Sequence, residues 1–196
     1  MQIIKEELRN RILEIAEQEF LENGFDKASL RVIAKKCGTT IGNLYHYFSN
    51  KEALFEDLVK QEYNAFFHLM EHNQNSQLIH YNSNHRNDIS LKKMFYENIE
   101  KLMPVFTKRF LILIDCSQKT KFETCRNQVL SMIEQHVKMH FMEYSVSITP
   151  GFEITLSQQI LTGLLHIIRT CEDENMKRLL ISDLFAFYMA GTLYFS

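Results

Sequence analysis

The sequence contains few of the residues that interrupt regular secondary structure. Its 196 residues include two prolines and six glycines, so few sharp turns are available and a sheet protein with many hairpins is disfavoured. Tryptophan is absent, but hydrophobic residues make up 45% of the chain and charged residues 23%. These proportions are typical of globular proteins and exclude a chain that is mainly disordered.

Long apolar runs and an excess of one charge are also missing. Asp183 interrupts the most apolar stretch, between Leu179 and Phe195, so no segment reaches the roughly 18 apolar residues of a membrane helix. Lys5 and two glutamates precede any run typical of a signal peptide. These features predict a soluble cytoplasmic protein without a membrane partner. The formal net charge is −2, so a surface for nucleic acid would have to be local.

The cysteines and histidines give no clear metal site. Four cysteines stand far apart, in no spacing typical of a zinc site or a disulfide framework, and we interpret them as reduced thiols. No adjacent basic residue favours a redox switch at Cys116 and Cys125. His136 and His140 lie one helical turn apart and could share a zinc ion, but a third ligand would have to come from elsewhere. We therefore assign no metal and no cofactor, and leave a sensing role for these residues open.

Apolar residues recur with helical spacing along the whole chain. The pattern predicts helices that end near residue 23 and that span about 29–37, 40–47, 51–72, 89–103, 105–117, 122–145, 152–171 and 175–195, with an Asn-rich loop at 73–88. Gly24 and Gly38 are suited to end helices, Thr40 to cap one, and residues 49–52 match a capping box. No alternating strand pattern of useful length occurs. The prediction is an all-α protein.

A basic window lies near the N-terminus. Residues 27–51 contain five lysines or arginines and no acid, whereas the flanking segments are rich in glutamate. A local basic window in a nearly neutral chain indicates a focused anion-binding face, although a solvated charged surface would give the same pattern. The predicted helices inside this window are short and joined by a glycine turn. That arrangement projects a helix into the major groove of DNA.

The second helix of the window carries side chains suited to DNA. Hydroxyl and amide groups of Thr39 and Thr40 can bind phosphate, and Gly42 permits close approach to the sugar-phosphate wall. Asn43 and His46 can hydrogen-bond base edges. The hydroxyl groups of Tyr45 and Tyr47 can also reach phosphates.

These residues carry a resemblance to a known family. The run from Gly24-Phe25 through Ala28-Ser29-Leu30, Ile33-Ala34, Cys37-Gly38-Thr39-Thr40, Gly42-Asn43-Leu44-Tyr45, Tyr47-Phe48 and Lys51 to Leu54 resembles the DNA-binding domain of the TetR family of bacterial transcriptional regulators. The resemblance covers about the first 60 residues. It departs from the family at Ala28, where a hydroxyl residue is common, and His46 occupies a more variable position that would help to set sequence preference.

The resemblance implies a regulator, and most simply a repressor, that binds a near-palindromic operator in double-stranded DNA as a homodimer and is released by an effector. It implies a helix-turn-helix domain at residues 1–50 and a helical domain for effector binding and dimerisation at residues 51–196. The side chains expected to face DNA are Arg31, Thr39, Thr40, Gly42, Asn43, Tyr45, His46, Tyr47 and Lys51.

The last two predicted helices are apolar on more than one face, and together with the resemblance this favours pairing with a second copy of the chain. The predicted dimerisation residues are Ile160, Leu164, Ile168, Leu180, Leu184, Phe187 and Gly191. Between them and the N-terminal domain lies a region rich in Phe and Met, which suits either an ordinary core or an adaptable cavity for a lipophilic or aromatic effector. The residues expected to line this cavity are Phe66, Met70, Met103, Phe106, Phe110, Met132, Met139 and His166.

Other classes of protein fit less well. No phosphate-binding loop, nucleophile elbow or His-Glu metal motif is present, so no catalytic residue is assigned and an enzyme is not predicted. Two alternatives stay open: a DNA-binding architectural protein that needs no effector, and a regulator that responds to a metal. A cavity in the C-terminal bundle would favour an effector over an architectural role. The operator, the effector, the regulated genes and the sign of regulation are not encoded in any motif.

Overall fold

The computed structural model describes residues 2–73, 93, 96, 99–100 and 102–194. Its helices are α1 (Gln2–Lys27), α2 (Leu30–Lys36), α3 (Ile41–Tyr45), α4 (Lys51–Asn73), α5 (Lys108–Asp115), α6 (Cys125–Glu143), α7 (Phe152–Thr170) and α8 (Glu174–Tyr194). No strand occurs among the described residues, and the predicted all-α fold is confirmed. In this part of the chain no helix is long and apolar enough to cross a bilayer.

The chain divides into two compact units, each described separately below. The first unit consists of residues 1–67 and 108–126, and the second of residues 68–107 and 127–196. The first unit therefore combines α1 to α3, most of α4 and α5. The proposed functional boundary at residue 50 stays a prediction.

The first unit is built around aromatic and aliphatic side chains from each of its helices. Phe20 of α1 and Phe55 of α4 are fully buried, and their ring centroids lie 5.1 Å apart in an edge-to-face pair. Phe110 of α5 is also fully buried and lies 5.2 Å from Phe66. Ion pairs surround this core, among them Arg109 with Glu17 at 2.9 Å. The packing of α1 against α5 thus supports the short helices α2 and α3.

The ends of the helices follow local chemistry. Gly24 has φ +67° and breaks the regular path of α1, as predicted for a glycine that ends a helix. The capping box predicted at residues 49–52 is corrected in one respect: Asn50, and not Ser49, caps α4, because Asn50 Oδ1 accepts the Ala53 N–H at 2.7 Å. Helix α5 begins at Lys108 instead of residue 105, because residues 102–107 form successive turns around Pro104. The helix predicted at 89–103 and the Asn-rich loop lie largely outside the described residues.

In the second unit, α6, α7 and α8 share an apolar core. Its buried members are Val137, Phe141, Ile160, Tyr188 and Met189. A Cβ placed on Gly163 would lie 3.3 Å from Leu184 Cδ1, so the absence of a side chain at this position lets α7 and α8 approach closely.

Candidate nucleic-acid interface

Helices α2 and α3 are joined by a tight turn. Ser29 caps α2 by accepting the Val32 N–H, and Gly38 follows the helix with φ +69°, a conformation that costs glycine little. The Thr39 N–H then donates to the Ala34 carbonyl at 3.0 Å. The turn therefore reverses the chain within a few residues and starts α3 at a fixed angle to α2.

Helix α3 has one buried side and one exposed side. Thr40 caps it, since its hydroxyl accepts the Asn43 N–H at 3.1 Å. Leu44 and the following Phe48 are buried in the first unit. On the opposite side Tyr45 is 49% exposed and His46 is also exposed. Helix α3 is therefore held by its buried side and exposes polar and aromatic side chains on its other side.

Gly42 lies on the exposed side of α3. The only atom within 4 Å of a Cβ placed there is Thr40 Oγ1, at 4.0 Å. Among the described residues no packing contact requires a glycine at this position, although glycine weakens a helix by about 1 kcal/mol relative to alanine. The open space above Gly42 is what close approach of a second molecule would use.

Asn43 is held in place by the turn before it. Its Nδ2 donates to Thr39 Oγ1 at 2.8 Å. Both residues are half-buried, whereas Thr40 is exposed. The Asn43 side chain is thus part of a hydrogen-bonded pair at the start of α3, and does not turn freely in solvent.

Lys51 has partners within the chain. Its Nζ donates to the carbonyl oxygens of Asp26 and Ala28, both at 3.1 Å, and lies 4.6 Å from the centroid of the Phe25 ring. These contacts connect the first turn of α4 to the segment between α1 and α2. A phosphate role for Lys51 stays a prediction, and the structure adds an internal role that sequence reasoning missed.

Glu19 is a second residue that sequence reasoning missed. It is buried on α1, with Oε1 accepting the Ser29 N–H at 3.2 Å and Oε2 lying 3.4 Å from Lys36 Nζ. One carboxylate therefore contacts both ends of α2. Its burial could have been predicted from its position, because Glu19 follows Ile12 and Ala16 at helical spacing on the buried stripe of α1.

The remaining basic residues of the window are exposed. Lys27, Arg31 and Lys35 project from the surface of the first unit, and Tyr47 is half-buried. Lys36 is also exposed, but Glu19 offsets its charge. Exposed cations of this kind attract the phosphate backbone of a duplex.

The predicted effector residues are distributed over both units. Phe66 and Phe110 are buried in the first unit, Phe106 is buried in the second, and Met103 and Met132 are half-buried. Met139 is 51% exposed and His166 is also exposed. The side chain of Met70 lies outside the described residues. An effector cavity lined by these residues stays a prediction.

The predicted dimerisation residues fall into two groups. Ile160, Leu164 and Ile168 of α7 are buried in the core of a single chain. Leu184 packs against Gly163 of the same chain. The side chains of α8 that face outward include Leu180, at 39% exposed, and Phe187, at 83%; a Cβ placed on Gly191 would meet no atom within 4 Å. The dimer stays a prediction, and its contacts would have to come from this outer face of α8.

His140 and Cys125 are buried inside the protein. His140 is buried, and its Nδ1 lies 3.4 Å from the Tyr188 hydroxyl. Burial, together with the neighbouring His136, lowers the pKa of His140 to about 4, while burial raises the pKa of Cys125 to about 11. Within the described residues no three His, Cys, Asp or Glu side chains are grouped as metal ligands, and no cysteine forms a disulfide.

A capped short helix that is buried on its inner side and joined by a glycine turn to another short helix is the arrangement of a helix-turn-helix motif. Residues 12–58 match the sequence model of the bacterial regulatory proteins of the tetR family. Over these residues the chain is similar to the DNA-binding segment of the tetR family.

Individual proteins are also similar to this chain. The helix-turn-helix transcriptional regulator UidR of Escherichia coli (strain K12) is 44% identical over 62 residues, which are 32% of this chain and 32% of UidR. The chain thus matches about a third of the length of this curated relative. The crystal structure of the TetR-family regulator PfmR from Thermus thermophilus has a TM-score of 0.57 at 15% identity, over 92% of this chain and 97% of PfmR. The crystal structure of AibR in complex with isovaleryl coenzyme A and operator DNA has a TM-score of 0.54 at 18% identity, over 95% and 98%. At these identities the two structures establish only the fold.

Proposed function

We propose that this protein is a cytoplasmic transcriptional repressor that binds a near-palindromic operator as a homodimer and is released by a small lipophilic or aromatic effector. The observation that carries the proposal is the exposed face of α3. It combines a glycine that no contact among the described residues requires with polar side chains that can bind base edges, and exposed cations occur in the same N-terminal window. That combination fits the major groove and its phosphate walls.

The proposal of a homodimer rests on the exposed apolar side chains of α8. Leu180 and Phe187 are seven residues apart and project from one side of this helix, and Phe187 is 83% exposed. Gly191 leaves open space beside them. Apolar surface of this kind is stabilised by burial, and two copies of one helix face form a self-complementary contact. A dimer also places two copies of α3 on one duplex, which is what a palindromic site requires.

The proposal of an effector rests on the sequence between α3 and α8, which is rich in aromatic residues and methionine. Such side chains adapt to apolar ligands of different shape. AibR, which has a similar fold, was crystallised with both a coenzyme A ester and operator DNA. An effector would release DNA if it bound more tightly to a dimer whose α3 helices are wrongly spaced for the operator.

The test is selection of bound duplexes from a random DNA pool with the full-length protein, followed by sequencing. The proposal expects enrichment of an inverted repeat with half-sites about one helical turn apart. A Gly42→Glu variant, which adds bulk and negative charge on the exposed face of α3, serves as the control that should enrich nothing. If the folded wild-type protein enriches no sequence either, the proposed function is wrong.

A further inference from the structure

The hydrogen bond between Asn43 and Thr39 restricts what α3 can recognise. An asparagine amide has an oxygen that accepts and an NH₂ group that donates, and a free side chain can present either by turning over. Here one of the two N–H groups of Asn43 Nδ2 donates to Thr39 Oγ1 at 2.8 Å, which directs the NH₂ group towards Thr39. The oxygen Oδ1 accepts no hydrogen bond from any residue that the structure describes.

Thr39 is itself fixed to the rest of the domain. Its N–H donates to the Ala34 carbonyl of α2 at 3.0 Å. The Asn43 N–H is taken by the Thr40 hydroxyl at 3.1 Å. The backbone N–H groups of both residues are therefore hydrogen-bonded within the domain, and the Asn43 amide is held against the Thr39 hydroxyl.

Asn43 is half-buried at the border of the exposed side of α3. It precedes the exposed His46 by three residues, so the two side chains are neighbours on the helix surface. The next residue, Leu44, is buried. An oxygen presented at this position meets whatever enters the groove-facing side of α3.

An acceptor oxygen selects among the groups on a base pair. In the major groove, adenine N6 and cytosine N4 donate hydrogen bonds, whereas guanine O6 and N7 and thymine O4 accept them. Building on the proposed DNA-binding function, we infer that Thr39 orients Asn43 so that its Oδ1 recognises the exocyclic amino group of adenine or cytosine. Thr39 is a positioning residue for specificity in this arrangement, and Asn43 makes the base contact.

The experiment deletes single functional groups from the DNA. The selection described above, repeated with Asn43→Ala, identifies the base pair whose preference depends on Asn43. At that base pair one duplex lacks the exocyclic amino group (purine in place of adenine, or 2-pyrimidinone in place of cytosine). A second duplex lacks the keto oxygen of the opposite base (5-methyl-2-pyrimidinone in place of thymine, or 2-aminopurine in place of guanine). Deletion of the amino group removes one hydrogen bond of the base pair, whereas deletion of the keto oxygen also removes the adjacent ring N–H and so removes two. Each penalty is therefore expressed relative to the affinity of Asn43→Ala for the same duplex, which corrects for the difference in pairing.

Deletion of the amino group is expected to weaken binding of the wild-type protein about tenfold, and deletion of the keto oxygen to change it less than about twofold. The difference should vanish with Asn43→Ala. Thr39→Val, which replaces the hydroxyl with a methyl group of similar size, should reduce the penalty for the amino deletion to less than about threefold. Thr39→Ser, which keeps the hydroxyl, should retain it. Thermal unfolding of the free variants checks that each is folded.

Three results would overturn the inference while leaving the proposed function intact. They are a larger penalty for the keto deletion than for the amino deletion, a Thr39→Val protein with the full wild-type penalty, and an operator preference that Asn43→Ala leaves unchanged at every position. Failure of the wild-type protein to select any sequence would instead overturn the proposed function, and this inference with it.

Discussion

The ammonium group of Lys51 lies 4.6 Å from the centroid of the Phe25 ring. The same Nζ donates to two carbonyl oxygens in the segment between α1 and α2, so the start of α4 is joined to the entrance of the helix-turn-helix. A lysine ammonium has three N–H groups. Two of them are used inside the chain, which leaves one for a phosphate.

Lys51→Met should therefore affect the free protein. The variant keeps a flexible side chain of similar length but loses two charge-assisted hydrogen bonds and the contact with Phe25. We expect the free energy of unfolding to fall by about 1–2 kcal/mol, since Lys51 is partly exposed. Urea denaturation measures this, with Lys35→Met as the control at an exposed lysine. An unchanged transition midpoint would mean that the internal contacts of Lys51 contribute little.

The phosphate role of Lys51 has a separate test. Lys51→Ala should weaken operator and non-operator DNA about equally, and reduce the slope of log binding constant against log salt concentration by about one. Affinities measured at several salt concentrations give the slope. If the slope of the variant matched that of the wild-type protein, Lys51 would act only through the fold.

Gly42→Ala should separate binding from stability. The added methyl group meets only Thr40 Oγ1 at 4.0 Å, so the free protein should keep its stability or gain up to about 1 kcal/mol. Operator affinity should fall at least about tenfold if the sugar-phosphate wall approaches α3 at this point. Unfolding and fluorescence anisotropy on the same preparation give both values. Undiminished affinity would show that Gly42 lies away from the duplex.

Glu19 should be more important to the fold than its partner Lys36. Glu19→Ala leaves the Ser29 N–H without its acceptor and should cost about 1–3 kcal/mol, whereas Glu19→Gln keeps an acceptor oxygen and should cost less. Lys36→Ala removes only the mostly exposed end of the ion pair and should cost less than about 1 kcal/mol. Chemical denaturation of the three variants establishes the order. Equal losses for Glu19→Ala and Lys36→Ala would contradict it.

The buried His140 predicts a loss of stability in mild acid. Its pKa of about 4 in the folded chain lies below the ordinary value of 6.5, so the unfolded chain binds a proton first as the pH falls. Stability is complete above pH 6.5 and decreases from there towards pH 4, by at most about 3 kcal/mol. Unfolding of the wild-type protein and of His140→Phe at pH 7.5, 6.0, 5.0 and 4.5 isolates this contribution. Parallel curves for the two proteins would remove His140 as its source.

Phe187→Asp should change the oligomeric state and leave the single chain intact. Because 83% of the Phe187 side chain is exposed in one chain, the substitution removes little internal packing, but it would place a charge in the proposed dimer contact. Sedimentation velocity should change from a dimer to a monomer. Gln128→Asp, at an exposed polar position on α6, is the matched control and should stay dimeric. A dimeric Phe187→Asp protein would exclude this face of α8 as the contact.

The sequence predicts those features that depend on spacing along one helix. The helix end at Gly24 and the cap at Thr40 follow from local backbone preferences, and both were found. Contacts between distant segments are not encoded in this way. The internal contacts of Glu19 and Lys51 could not be predicted, because their partners are separated from them by ten or more residues. The start of α5 was missed for a related reason, since turns at 102–107 retain helical spacing of apolar residues.

The first unit is assembled from two separate stretches of the chain, and this limits how the protein can be divided. Residues 108–126 supply Phe110 to the core, and the carbonyl of Cys116 accepts the Phe25 N–H at 3.1 Å. A hybrid regulator that joins only the N-terminal residues of this protein to a foreign C-terminal part would break both contacts. The transferable module is a discontinuous one, and an exchange of DNA specificity that preserves it would replace the exposed side chains of α3 within the intact chain.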